Sequence, residues 1–151
     1  MHSLRYLVII CLICLIGLSA CKKDDTAQPT SVSRTEVLVA NKWRMERITR
    51  ADDGMVVPVN QLGGSAQALN FIDIQFTDAN IARAIDRSTR QIVNAGSWKL
   101  TTDSQGLDVD VTGFKGIFPI IDLTRTRLIL RQNTTVNSTK TDVNLEFVPS
   151  V

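Results

Sequence analysis

Asn70-Phe71-Ile72-Asp73-Ile74-Gln75-Phe76-Thr77 is the stretch on which the fold turns. Its apolar residues recur at every second position. Ile72, Ile74 and Phe76 fall on one side, and Asp73 and Gln75 on the other. A period of two is the pleat of a half-buried strand rather than the 3.6-residue turn of a helix. Asp78-Ala79-Asn80 follows as a tight connection into Ile81 through Arg87. Before it, Gln61 to Ala68, with Gly63-Gly64, reads as loop, and Met55 to Val59 as a short strand ending at Pro58.

The same period recurs in both directions. Lys42 to Thr49 puts Trp43 and Met45 on one face and Arg44 and Glu46 on the other, with a slip of phase at Arg47-Ile48 that suggests a bulge or the strand's end. Ser88-Thr89-Arg90 turns into Gln91 to Leu100, where Trp98 and Leu100 share a face. Leu107, Val109 and Val111 alternate after a turn at Asp103 to Gly106. Leu128 and Leu130 point inward from Thr126 to Gln132, and Val143, Leu145 and Phe147 from Thr141 to Val148. Thr35 to Ala40 reads as one helical turn or a short lead-in. About eight short strands joined by brief turns, with hardly any helical pattern, predict an antiparallel meander that closes on itself or folds into a sandwich. Eight strands suit a small barrel whose interior is filled by side chains or holds one small ligand.

The N-terminus carries a different signal. Arg5 precedes an apolar run from Leu7 to Leu18, about 18 Å long as a helix against roughly 30 Å of bilayer hydrocarbon. That is the profile of a removable signal peptide over residues 1–20. Leu18-Ser19-Ala20-Cys21 resembles the lipobox of bacterial lipoproteins, which makes Cys21 the expected site of lipidation. Acyl chains contribute about 0.8 kcal/mol per buried CH₂, so two or three of them hold a protein on a membrane. Lys22-Lys23-Asp24-Asp25 is similar to the lysine-then-acidic surface-export signal of Bacteroidetes lipoproteins, and Asp25-Thr26-Ala27 to a short O-glycosylation motif of that phylum. Residues 21–34 read as the lipidated cysteine and a flexible tether containing Pro29, and 35–151 as the folded domain.

Composition narrows the function. Cleavage before Cys21 would leave 131 of the 151 residues, a single-domain length. Arg5 is the one basic residue removed, which leaves 16 basic against 15 acidic side chains and no electrostatic footprint for nucleic acid. Cys11 and Cys14 lie inside the signal's apolar run, so with Cys21 acylated the mature domain has neither a free thiol nor an internal disulfide. His2, the one histidine, is also removed. Catalysis by Ser-His-Asp or Cys-His then has no base, and zinc lacks both of its preferred ligand types. No catalytic residue, metal or cofactor is expected, although a carboxylate-pair mechanism stays formally open.

Beyond its anchor, the chain resembles the short lipocalin-like lipoproteins of Bacteroidetes. The resemblance rests on Leu38, Lys42-Trp43-Arg44-Met45, Ile74-Gln75-Phe76 before Asp78-Ala79-Asn80, Ser97-Trp98-Lys99-Leu100, and the late Leu123, Leu128 and Leu130. It covers about residues 36–148. Lys42 and Asn80 stand where that family has glycine, and Asn tolerates the left-handed backbone that glycine supplies. The resemblance implies an all-β, antiparallel up-and-down lipocalin-like (calycin) β-barrel and at most a binding role.

Six side chains are candidates for contact with a ligand or for the rim of its site. Trp43 and Trp98 can fill the core or stack on a ligand, and the resemblance places Trp43 across the closed end of the barrel. Arg83 depends on strand phase. If Ala82 and Ala84 face inward the barrel gains room, whereas if Ile81 and Ile85 do, Arg83 sits inside and suits an anionic guest. Gly113 to Ile121, with two glycines and Pro119, reads as a loop with a short strand that plugs one barrel end. Alternatively it is a greasy rim, with Phe114, Ile117 and Phe118 presented to a ligand or partner. Asp108 and Asp110 alternate with apolar residues and therefore face solvent, opposite Arg125, Arg127 and Arg131 if the two strands are neighbours. Asn133-Thr134-Thr135 and Asn137-Ser138-Thr139 read as a polar hairpin loop.

These readings lead to the expectation of a non-enzymatic, lipid-anchored outer-membrane protein, displayed on the cell surface, whose barrel binds a small apolar or amphipathic molecule. The competing expectation is a structural or adaptor lipoprotein with a filled core, acting on an envelope partner. Interior volume separates the two, because below about 300 Å³ a barrel has no room for a ligand-sized guest.

Overall fold

The computed structural model describes residues 32–150. Cys21, the signal segment and most of the tether lie outside the described residues. The fold is a closed, all-β, eight-stranded antiparallel up-and-down barrel in which each strand pairs with its neighbours in sequence and the last pairs with the first. The strands are β1 (Lys42–Arg50), β2 (Ile72–Phe76), β3 (Ile81–Asp86), β4 (Ile92–Leu100), β5 (Gly106–Val111), β6 (Phe114–Thr124), β7 (Arg127–Val136) and β8 (Thr139–Pro149).

Alternation carries most of this architecture. Trp43 and Met45, Ile74 and Phe76, Leu107 and Val109, Leu128 and Leu130, and Val143, Leu145 and Phe147 are all buried, as their period-two spacing requires. The phase slip in β1 is a bulge between Met45 and Arg47 that returns Ile48 to the interior. Asn80 adopts a left-handed backbone, φ 59°, in the β2–β3 turn. Asn137 and Ser138, φ 47° and 69°, make the two-residue β7–β8 turn, a primed hairpin geometry that suits the twist of the strands.

The barrel reaches eight strands with a different membership from that expected. Met55–Val59 contributes only an isolated bridge, Val56 to Thr49. Gly113–Ile121, expected as a loop plugging the barrel, instead supplies most of β6, with Phe118 and Ile120 buried and Ile117 and Ile121 exposed. Pro119 is accommodated because β6 changes partners there. The Ile120 N–H donates towards β5, to the Gln105 carbonyl at 2.8 Å, so position 119 faces β7. With no N–H to give on that side, the β6–β7 ladder starts only at Ile120↔Leu130.

Two short α-helices among the described residues complete the fold. The first, α1 (Arg34–Val39), begins with a capping box in which the Glu36 N–H donates to Ser33 Oγ and the Ser33 N–H to Glu36 Oε2. Its Leu38 is buried against the core, and the Trp43 indole N–H donates to the Leu38 carbonyl at 2.9 Å. Arg34 donates to the Ser104 carbonyl and Asn41 to that of Arg125. These bonds stitch α1 to the β4–β5 and β6–β7 turns, closing that end of the barrel. The second, α2 (Gly64–Ala68), lies within the segment expected as loop. It belongs to the long β1–β2 connection, whose Leu62, Ala66 and Leu69 are buried in the core. Leu62 also bridges to Val136 near the tip of the β7–β8 hairpin, so the connection reaches across the opposite end.

Candidate ligand cavity

The interior is filled at one end and hollow at the other. Beside α2 lies a cavity of about 280 Å³, open on one side. Ile72, Ile74 and Phe76 form one wall, Val109, Val111 and Phe114 another, and Ala68 and Leu69 the cover. Between them stand Ala82 and Ala84, whose methyl groups leave the space. The sequence left the phase of β3 open. The structure turns the alanines inward and leaves Ile81 outside.

Polar side chains are few. Among the lining residues only Arg83, Asn94 and Thr112 carry them. Asn94 faces inward opposite Ala84 and bridges the mouth, its Nδ2 donating to the Thr112 carbonyl at 2.8 Å while Oδ1 accepts from the Ala95 N–H. Arg83 borders the cavity from the outward phase between the two alanines, and no acidic partner meets it among the described residues.

The other candidates spread out. Phe114 lines the cavity and stacks on Phe118, ring centroids 4.3 Å apart and planes 7° from parallel, while Phe118 is buried one layer behind. Trp98 likewise sits behind Phe76, edge-on at 5.3 Å, and its indole N–H donates to the Thr77 carbonyl. Trp43 is wholly buried at the closed end, away from the cavity. Ile117 is 65% exposed on the outer wall, so it cannot share a rim with Phe114. The structure brings Arg83 and Phe114 to the cavity, with Trp98 and Phe118 as support. It also adds Val93 and Asn94, whose placement follows from a β-bulge at Ala84–Ile85 opposite β4 that no local pattern announced.

The outer wall is held by ion pairs. Asp108 meets Lys99 at 3.4 Å and Asp110 meets Lys115 at 2.9 Å, because β4 and β6 flank β5. The arginines expected opposite them lie elsewhere: Arg127 pairs with Asp122, and Arg131 donates to Asn144. Asp73, outward by phase, is nevertheless buried. It accepts from Arg87 Nε at 3.0 Å and from Ser150 Oγ at 2.6 Å. In the β3–β4 turn, Asp86 accepts from the N–H groups of Ser88 and Thr89 and from the Thr89 hydroxyl, and these bonds hold its carboxyl below the usual carboxylate range. No group of three or more metal-ligating side chains occurs among the described residues. No helix among them is long and apolar enough to cross a membrane.

No family model matches the chain, and no curated protein matches it.

Proposed function

We propose that this is a lipid-anchored envelope protein, held on the outer membrane through Cys21, whose lipocalin-like barrel takes up a small apolar or amphipathic molecule and catalyses no reaction. The observation that carries this reading is the 280 Å³ cavity, apolar on nearly every side and open at one end. Its volume falls just under the roughly 300 Å³ that separates the two readings, so on that measure a ligand-sized guest does not fit and the guest proposed is a smaller one. A dry cavity of about 150 Å³ takes up benzene, which puts the guest here at about ten non-hydrogen atoms, such as a medium-length acyl chain. Its polar end would meet Asn94, Thr112 or Arg83 at the mouth.

Displacement of a fluorescent fatty-acid probe by octanoate tests the guest, and failure of both probe and octanoate to bind overturns it. Incorporation of labelled palmitate, lost in Cys21→Ala, tests the anchor; an unlabelled wild-type chain removes it. The packed closed half favours a second reading, a structural or adaptor lipoprotein whose outer wall engages an envelope partner. That reading predicts no guest at all.

A further inference from the structure

One wall of the cavity lies beyond the ladders of the sheet. The β5–β6 hairpin turns at Thr112-Gly113, and Val111↔Phe114 is its last rung. On one flank, β4 pairs with β5 only from Ser97↔Asp110 onwards, so Ile92 to Gly96 have no rung to β5. On the other, β6 pairs with β7 only from Ile120↔Leu130, so Phe114 to Pro119 have no rung on that side. The tip from Val111 to Phe114 therefore extends past both neighbouring ladders, and all of its residues line the cavity. The other walls are held. Ile72 to Phe76 pair rung by rung with β3, and the cover over Ala68 and Leu69 belongs to a connection clasped to the β7–β8 hairpin by Leu62↔Val136.

Little keeps the tip in place. Asn94 Nδ2, reaching from β4, donates to the Thr112 carbonyl at 2.8 Å, the one side-chain hydrogen bond from the tip to another strand among the described residues. Val111 is buried in the core, while Phe114 is only partly buried and leans on Phe118. The Lys115–Asp110 pair at 2.9 Å ties the two strands of the hairpin to each other and not to the rest of the barrel, so the tip moves as one piece. Two glycines stand at its base. Gly116, φ 140°, holds β6 in a backbone region that other residues rarely adopt, and β5 passes so close to Gly96 that a Cβ there would collide with the Asp110 carbonyl oxygen. Swinging the tip breaks the Asn94 bond and part of the apolar packing, but no rung to β4 or β7. Elements held by so few contacts open locally, at far less cost than unfolding the barrel.

We propose that the Val111–Phe114 tip is the gate of the cavity, pivoting at Gly96 and Gly116 and latched by the bond from Asn94 to Thr112. Opening swings Phe114 away from the interior and widens the mouth on the side of β4. The gate rests on the ladders and the latch; only what passes through it rests on the guest reading above.

The test is thiol trapping in the full chain, with no guest present. Ala82→Cys places a thiol on the buried cavity wall, and its reaction with N-ethylmaleimide, a reagent close in size to the proposed guest, is read above the background of the parent chain. Asn94→Asp keeps the size of the latch and removes its donor. It is expected to speed trapping at 82 about fivefold, the worth of one exposed hydrogen bond, and to leave a Val143→Cys thiol in the packed interior as slow as before. Phe114→Ala, which removes the gate's own ring, should speed trapping at 82 as well. An unchanged rate at 82 in Asn94→Asp overturns the proposal, as does an equal rise at 143, which would mean general loosening. So does trapping at 82 in the parent background as fast as at an Ile117→Cys thiol on the outer wall, since the cavity then stands open without a gate. Failure of octanoate to bind would leave these rates untouched, so either idea can fail alone.

Discussion

The two ends of this barrel use the same strands and reach opposite results. At the closed end, Trp43 hangs from the Leu38 carbonyl under α1, and the interior is filled by Leu, Phe and Trp side chains. At the open end, β3 presents Ala82 and Ala84 where other strands present Ile, Leu or Phe, and about 280 Å³ stays empty. The lesson concerns volume rather than polarity. Both ends are apolar, and two methyl groups on a single strand separate a packed core from a cavity. Stability is then concentrated at the closed end, and any capacity to bind at the open one.

The comparison breaks most visibly at Trp43. Trp43→Ala removes the largest wholly buried side chain and the indole bond that pins α1, and should cost about 3–5 kcal/mol by urea denaturation. A loss under about 1 kcal/mol would mean that the closed end is not where the barrel's stability resides. The converse substitution, Ala84→Leu, grows a side chain into existing space. It should leave the urea midpoint near that of the wild type and weaken octanoate binding about tenfold or more. Unchanged affinity would place the guest elsewhere, and a collapse in stability would mean that the space was not free.

Much of this was legible because alternation is local. Ile74, Phe76, Leu107, Val109, Leu145 and Phe147 could be placed inside from their neighbours alone. Where the sequence misled, the deciding contact came from far along the chain. Gly113–Ile121 carries two glycines and a proline, yet becomes a strand because β5 pairs along its first half and β7 takes over at Ile120. Asp73 has the spacing of a solvent-facing residue, but Arg87 and Ser150, 14 and 77 residues away, close over it. For the cavity, the deciding unknown was the phase of Ile81–Asp86. Alanine, isoleucine and arginine there fit either face, and only pairing with β2 and β4 fixes which one is inside. The free tip of the β5–β6 hairpin had no signature, since only the ends of the ladders to β4 and β7 define it.

The smallest effect sharpens the comparison by pH. Each end has a turn gathered around a carboxylate: Asp86 in β3–β4 at the mouth, and Asp103 in β4–β5 at the closed end, which accepts from the Thr101 hydroxyl and the Gln105 N–H. Hydrogen bonds, from Thr89 first for Asp86 and from Thr101 first for Asp103, lower both carboxyls below the unfolded value. A depressed folded pKa contributes stability that is complete above the unfolded carboxylate pKa of about 4, and is lost as pH falls through the folded value. Both turns therefore loosen in acid, but not equally. Protonated Asp103 still leaves its turn tied to α1 through Arg34 and the Ser104 carbonyl, whereas Asp86 alone gathers the Ser88 and Thr89 amides. Hydrogen exchange, corrected for intrinsic rates, should then show Thr89 losing protection below about pH 4 while Gln105 loses less. Asp86→Asn should reproduce the Thr89 loss at neutral pH. If the two amides open together, the ends share one cooperative unit, and the mouth has no mobility of its own with which to admit a guest.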